Sequence, residues 1–190
     1  MMAKSTSPKK MLIILALACI SPFVASFALY YFWTPTGGQV NYGTLLEPKA
    51  LPLSAAELTQ VEGAAAPAIR GKWLLVTLDP PSCDERCQAK LYATRQSRTM
   101  TGKERDRVER LWLITGDAAA NPTEALLAQH PDLMLARPSP SLIAALPADA
   151  TEAIFIIDPR GYLILRYPAK PDIRGLFKDL SRLLVASRIG

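Results

Sequence analysis

An uninterrupted apolar stretch near the start of the chain dominates the hydrophobic pattern. From Met11 to Trp33 the sequence MLIILALACISPFVASFALYYFW carries no charge, and about 20 apolar residues suffice to cross a bilayer core of about 30 Å. Three lysines precede the stretch, at positions 4, 9 and 10, and an aromatic group closes it, as expected at the two membrane interfaces. The pattern predicts a transmembrane helix at 11–33, residues 1–10 in the cytoplasm and export of the remainder.

A cleaved signal peptide is the alternative explanation of this stretch. Ser26-Phe27-Ala28 has the small-x-small form of a cleavage site and follows Pro22 by a few residues. The apolar run continues beyond Ala28 into bulky aromatic residues, and this length favours an uncleaved anchor. Both interpretations send the rest of the chain to the same compartment.

The pattern after the apolar stretch predicts a strand, a helix and a second strand. Residues 34–70 are rich in Pro, Gly and Ala with little periodicity, which indicates a linker and lead-in. Residues 73–78 are an apolar run that stops at Asp79-Pro80-Pro81, as is typical of a strand buried on both faces. A helix is predicted over 84–101 and another apolar strand over 110–115. This order predicts a parallel crossover unit.

The second half of the chain predicts a hairpin between helices. Asn121 and Pro122 have the residue types of a helix start, which would carry a helix to about His130. Asp158-Pro159-Arg160-Gly161 has the form of a type I turn between two apolar runs. The predicted elements are a strand at 133–136, a short helix at 139–146, hairpin strands at 153–157 and 162–167, and a closing helix from 171. Together they predict an α/β domain over 71–190 with a thioredoxin-like fold, a central mixed sheet flanked by helices.

Composition and charge exclude several classes of protein. The 190 residues are 49% hydrophobic and 21% charged with 3 Cys, which excludes collagen, long disordered chains and small disulfide-stapled proteins. The net charge of +5 includes the three lysines of the first ten residues, and residues 34–190 carry 19 basic and 17 acidic side chains. This near balance removes the electrostatic case for a nucleic-acid partner.

Two cysteines stand where the first predicted strand gives way to the first predicted helix. Cys83 and Cys87 are four residues apart, and residues at that spacing on a helix share a face, with Cβ atoms ~5–6 Å apart. A small adjustment of the first turn would permit a disulfide. Cys83 is the predicted attacking sulfur, because unpaired N–H groups at a helix N-terminus favour the thiolate. Cys87 is then the resolving sulfur.

A purely structural disulfide is the alternative interpretation of this pair. An oxidising compartment allows any close pair of cysteines to oxidise. A bridge that closes so short a loop gains little loop entropy, however, and this favours a redox function over a stabilising one.

With the apolar anchor, these residues resemble the Sco/SenC family of thioredoxin-like proteins. The matching features are Gly71-Lys72 before the first strand, the C-x-x-x-C of Cys83 and Cys87, and the hairpin sequence over 156–161. The resemblance covers 43–187, judged by the order of elements. It implies a membrane-anchored protein that faces the periplasm or intermembrane space and helps to assemble cytochrome c oxidase. In that family the two Cys and a distal His bind copper, and the thiols also reduce cysteines of the oxidase's copper site.

The chain departs from this family at two positions. The resemblance places the copper-ligand His near Ala150, where the chain has none, and a Pro after the second Cys, where Gln88 stands. Two thiolates suit soft Cu(I), but a third ligand would have to come from His130, Met100 or Met134. A lone His such as His130 is expected at the surface or at a helix end rather than in a metal site.

The resulting hypothesis is a protein of the bacterial inner membrane whose domain lies in the periplasm. It would act in cytochrome c oxidase biogenesis as a thiol–disulfide reductant through Cys83 and Cys87, with an oxidase subunit or assembly factor as partner and no required cofactor. One alternative is a Cu(I) chaperone in which Cys83 and Cys87 hold copper. The other is a non-catalytic assembly partner whose disulfide stays closed.

Overall fold

A computed structural model describes residues 8–32, 41–54, 57–61, 69, 71–116 and 120–187 of the chain. The chain divides into two compact units, Met1–Val40 and Asn41–Gly190. In the first unit the described residues form helix α1 (Pro8–Phe32), which is 25 residues long and apolar enough to cross a membrane. The predicted span is therefore helical from Met11 to Phe32, with Pro22 inside the helix, and Trp33 lies outside the described residues.

The second unit is built around a seven-stranded mixed sheet. Its strands are β1 (Thr44–Ala50), β2 (Leu58–Gln60), β3 (Trp73–Asp79), β4 (Val108–Ile114), β5 (Leu133–Pro138), β6 (Ala153–Ile157) and β7 (Tyr162–Pro168). They lie in the order β1-β7-β6-β3-β4-β5-β2. β3, β4 and β5 run parallel to one another, whereas β6 is antiparallel to both β3 and β7. The predicted crossover unit and the predicted hairpin are both confirmed.

Four helices and two short 3-10 segments complete the second unit among the residues described. The helices are α2 (Glu85–Met100), α3 (Glu124–Ala128), α4 (Pro140–Ala145) and α5 (Ile173–Ala186), and the 3-10 segments are Gly102–Arg107 and Ala150–Glu152. Ser139 and Asp172 cap α4 and α5 by accepting bonds from backbone N–H groups of the first turn. The fold is thus the predicted mixed sheet flanked by helices.

Both edge strands lie within 34–70, the segment predicted as a linker and lead-in. β1 is almost wholly exposed, contains Pro48 and shifts its pairing with β7 between Leu45 and Lys49. β2 is only three residues long. A strand exposed on both faces shows no alternation of apolar and polar residues, so its sequence carries little signal. Proline, an irregular register and short length also protect the edges of a sheet from pairing with other chains.

Helix α3 begins later than predicted. Thr123, rather than Asn121, is its capping residue, and its hydroxyl accepts a bond from the N–H of Leu126 at 3.4 Å. Pro122 therefore precedes the helix instead of occupying its first position. The helix ends at Ala128, two residues before His130.

The sheet carries apolar clusters on both of its faces. All seven residues of β3 are buried, because α2 and α5 cover one face and α4 covers the other. Trp73 and Leu75 pack towards α5, whereas Leu74 and Val76 pack towards α4. The alternation of side chains along a strand thus distributes one apolar run between two cores.

A buried carboxylate fixes the start of β1 to α5. Asp179 accepts hydrogen bonds from the N–H groups of Tyr42 at 2.7 Å and Gly43 at 2.9 Å, and from the hydroxyl of Tyr167 at 2.7 Å. Burial, followed by the bond to Asp179, raises the pKa of Tyr167. A Cβ at Gly43 would lie 2.5 Å from the ring of Tyr167, so only glycine fits there. β1 begins at the end of the sheet where β3 finishes, since the two strands run in opposite directions.

Replacing Asp179 by Ala should destabilise the domain, because three donors lose their acceptor inside the protein. We expect the free energy of unfolding to fall by about 3 kcal/mol, measured by denaturant titration with tryptophan fluorescence. The matched control is Glu47→Ala on exposed β1, which should change it by less than about 0.5 kcal/mol. Equal stabilities of the two variants would contradict the role assigned to Asp179.

Candidate functional site

The candidate site lies where β3 leaves the sheet and turns into α2. The turn from Pro80 to Cys83 is closed by a bond from the N–H of Cys83 to the carbonyl of Pro80 at 3.2 Å. Asp84 then caps α2, and its Oδ1 accepts a bond from the N–H of Cys87 at 2.9 Å. The expectation that Cys83 stands just before the helix N-terminus is therefore confirmed. Cys87 lies in the first turn of the helix.

Cys83 and Cys87 are joined in a disulfide, with their Cα atoms 5.0 Å apart. The geometry differs from two residues sharing a helix face, because Cys83 lies outside α2. Its φ of 42° is left-handed, and Cys83 is alone among the described non-glycine residues in having a positive φ. Such a conformation costs an L-residue roughly 1–2 kcal/mol. The turn required to bring the two sulfurs together therefore carries backbone strain.

Both sulfurs are buried in the oxidised form. Cys83 is 2% exposed and Cys87 is fully buried, in an apolar cluster that also contains Leu91 of α2 and Trp112 of β4. A thiolate in such surroundings would lose its hydration, whereas an uncharged disulfide loses almost none. Burial consequently favours the disulfide, whereas the strained backbone at Cys83 favours its opening.

A buried ion pair lies beside the disulfide. Nζ of Lys90, one turn after Cys87 on α2, is 2.8 Å from Oδ2 of Asp79, the last residue of β3. Both side chains are almost fully inaccessible to solvent. The ammonium also donates to the carbonyl of Thr151, so it ties α2 to β3 and to the 3-10 segment before β6. Burial raises the pKa of Asp79 to about 6, and the bond to Lys90 offsets only part of that rise.

Exposed ion pairs join the start of α2 to the 3-10 segment and to the residues that follow β7. Arg86 contacts Glu152 in the 3-10 segment, and Nζ of Lys170 lies 2.9 Å from Oε1 of Glu85. The Lys170 bond lowers the pKa of Glu85. These pairs are exposed, so each contributes little free energy, but they surround the N-terminus of α2 with alternating charge.

His130 is buried rather than at the surface. It is 6% exposed, and its Nδ1 lies 3.2 Å from the guanidinium of Arg110, which is itself buried under α2. Burial, followed by the charges of Arg110 and Arg95, lowers the pKa of His130 to about 4. The neutral ring accepts a bond from Arg110, so His130 serves the packing of α2 and not the disulfide. The prediction that it sits near a helix end is confirmed.

The donor set does not fit a Sco-type copper site. Ala150, at the place where the resemblance puts the ligand His, is buried and has no donor side chain. Met100 is at the far end of α2, about 20 Å along the helix from Cys87, and Met134 belongs to the apolar cluster on the opposite sheet face. Within the described part of the chain, no group of three His, Cys, Asp or Glu side chains converges. Two thiolates remain, without a third ligand.

Asp79 and Gln88 belong to the site although their residue types and spacing do not indicate it, whereas Lys90 has a signal in the sequence. Cys87, Lys90, Leu91 and Thr94 recur at helical spacing and are all buried, so the periodicity of α2 was the available signal for Lys90. In the sequence, Asp79 indicates only the end of the strand. Gln88 is exposed, and its Nε2 donates to the carbonyl of Cys83 at 3.1 Å, a contact that no sequence pattern indicates.

The mixed sheet, its crossover helix and a disulfide at the strand-to-helix junction define a thioredoxin-like protein with an apolar N-terminal helix. The chain belongs to the family described as transmembrane-like, thioredoxin-like, C-terminal domain, whose model matches residues 73–187. No curated protein sequence matches the chain significantly.

Solved structures of Sco proteins share this fold. Apo Sco1 from Thermus thermophilus is 21% identical, with a TM-score of 0.57 over 77% of this chain and 99% of that one. Yeast Sco1 is 14% identical, with a TM-score of 0.57 over 79% and 98%. Copper-bound ScoI from Bradyrhizobium japonicum is 18% identical, with a TM-score of 0.52 over 72% and 99%. The expected Sco/SenC-like thioredoxin fold is confirmed.

The buried ion pair predicts a specific pH dependence. Asp79 has a higher pKa folded than its ordinary value of 3.8, so the unfolded chain releases the proton first. The contribution of Asp79 to the free energy of unfolding should therefore fall as pH rises from about 4 to about 6 and stay constant above pH 6. For a pKa shift of this size the fall is about 3 kcal/mol. Asp79→Asn removes this contribution.

The measurement is the difference in unfolding free energy between the wild-type chain and Asp79→Asn, taken from pH 4 to pH 8. It should decline through the lower part of that range and then stay level. Because His130 is common to both chains, its opposite contribution cancels. A difference that is the same at every pH would show that Asp79 has the same pKa in the folded and the unfolded chain, which contradicts the prediction.

Proposed function

We propose that the chain is a membrane-anchored thiol–disulfide reductant acting through Cys83 and Cys87 in cytochrome c oxidase biogenesis. The observation that carries this proposal is the pairing of these two cysteines at the strand-to-helix junction of a Sco-like thioredoxin fold. The short loop closed by the disulfide adds little to stability through entropy, so redox chemistry explains the spacing better than stapling.

The chemistry requires only the two sulfurs. In the reduced state the thiolate of Cys83 attacks one sulfur of a client disulfide, forming a mixed disulfide and releasing a client thiolate that takes up a proton. Cys87, deprotonated, then attacks Sγ of Cys83. The internal disulfide closes, the second client thiolate leaves, and two electrons have passed to the client. A dithiol donor must reduce the pair again for the next cycle.

The proposed anchoring and compartment rest on the first unit. We propose that residues 11–33 span the bacterial inner membrane, that residues 1–10 stay in the cytoplasm and that the domain over 71–190 works in the periplasm. The apolar helix α1 and the three lysines before the span support this orientation. An oxidase subunit or assembly factor, itself at the membrane, is the proposed partner.

The burial of the disulfide supports a second candidate, a non-catalytic assembly partner whose bridge stays closed. Both sulfurs are inaccessible in the oxidised form, and the described cluster around them is apolar. Copper delivery is the weaker alternative, because the thiols of Cys83 and Cys87 lack a third ligand.

Replacing Cys83 by Ser in the host should lower cytochrome c oxidase activity to the level of a strain lacking the protein. Cys19→Ser in the apolar helix is the matched control and should leave the activity unchanged. A membrane-permeant dithiol in the medium should restore activity to the Cys83→Ser strain, because it supplies the missing electrons. Full activity in the Cys83→Ser strain would contradict the reductant and support the closed-bridge candidate.

A further inference from the structure

The buried disulfide can react only if the segment that holds Cys83 moves. Three hydrogen bonds outside the helical ladder hold the two cysteines. The N–H of Cys83 donates to the carbonyl of Pro80, the N–H of Cys87 donates to the side chain of Asp84, and the side-chain amide of Gln88 donates to the carbonyl of Cys83. The first two belong to the turn and the helix cap. The third is the exception, because it comes from an exposed side chain that can leave without breaking a turn or a helix.

Gln88 holds Cys83 where the backbone is strained. Its own N–H bonds to the carbonyl of Asp84 at 2.9 Å, which fixes Gln88 to the first turn of α2. Its side chain then reaches back five residues, and Nε2 donates to the Cys83 carbonyl at 3.1 Å. Cys83, whose carbonyl accepts this bond, is the residue with the left-handed φ of 42°.

We propose that Gln88 is a positioning residue that keeps the Cys83–Cys87 disulfide closed and inaccessible, and so sets the rate at which a dithiol reduces it. This inference rests on the proposed function only for its biological role. When the Gln88 bond breaks, Cys83 turns outwards and Sγ of Cys83 becomes open to attack. An incoming thiolate then forms a mixed disulfide with Cys83, the S–S bond breaks, and Cys87 leaves as a thiolate that takes up a proton.

The size of the effect follows from one hydrogen bond. A single neutral bond, net of its exchange with water, changes an equilibrium by about 2- to 12-fold. Reaction through a rarely populated open state is proportional to the population of that state. Removal of the Gln88 amide should therefore accelerate reduction by the same factor.

The test uses the full chain in detergent micelles and dithiothreitol as the reductant. Gln88→Met keeps the length of the side chain and removes the donor, so its second-order rate constant for reduction should exceed that of the wild type by about 2- to 12-fold. Gln129→Met is the matched control. It also removes an exposed amide, which donates to the carbonyl of Ala125 at 3.3 Å, and it should react at the wild-type rate.

A second readout distinguishes a local effect of the Gln88 bond on Cys83 from a general loss of stability. The denaturant midpoint should fall slightly and to a similar extent in Gln88→Met and Gln129→Met, because each variant loses one side-chain hydrogen bond that the unfolded chain also lacks. Only Gln88→Met should react faster. An unchanged rate in Gln88→Met overturns the proposal. An equal acceleration in Gln129→Met also overturns it, because loss of any exposed amide bond would then speed the reduction. Because no client is present, these outcomes are independent of the oxidase activity of the Cys83→Ser strain.

Discussion

Burial of the Cys83–Cys87 bridge between α2 and β4 is the constraint on which the site depends. In these apolar surroundings an uncharged disulfide is stable, whereas a thiolate is not. The pair therefore favours the oxidised state, and a couple of this kind gives electrons to partners more readily than it takes them. The left-handed backbone at Cys83 acts in the opposite direction, since its strain is relieved when the bridge opens.

Buried polar groups beneath α2 fix the elements that carry the bridge. Lys90 reaches from α2 to Asp79 at the end of β3 and to the carbonyl of Thr151 before β6. Arg110 and His130 pair beneath the same helix. A buried charged or polar group without its partner costs free energy. Each pair therefore favours the one position of α2 against the sheet in which its two members meet. The helix that bears Cys87 is thereby held in register with the strand that leads to Cys83.

The sequence predicts the centre of this fold far better than its edges. β3 and the second half of β4 are apolar runs, and the hairpin turn at Asp158 has a clear residue signature. All three lie close to where the pattern predicts them, although β4 begins at Val108, two residues before the predicted start. β1 was missed because an exposed edge strand has no periodicity. Within the site, the spacing of the cysteines predicted a bond. The helical spacing of Lys90 from Cys87 indicates a shared buried face. The burial of His130 depends on which elements pack together, and no local pattern contains that information.

A reductant and a permanently closed bridge differ in the redox potential of the Cys83–Cys87 couple. The direct measurement equilibrates the full chain with dithiothreitol or glutathione buffers of known potential and counts the free thiols by alkylation and mass. We predict a two-electron transition between about −200 and −300 mV, a range in which biological dithiols exchange electrons. A redox potential far below about −300 mV would leave the Cys83–Cys87 disulfide resistant to reduction and would contradict the reductant function.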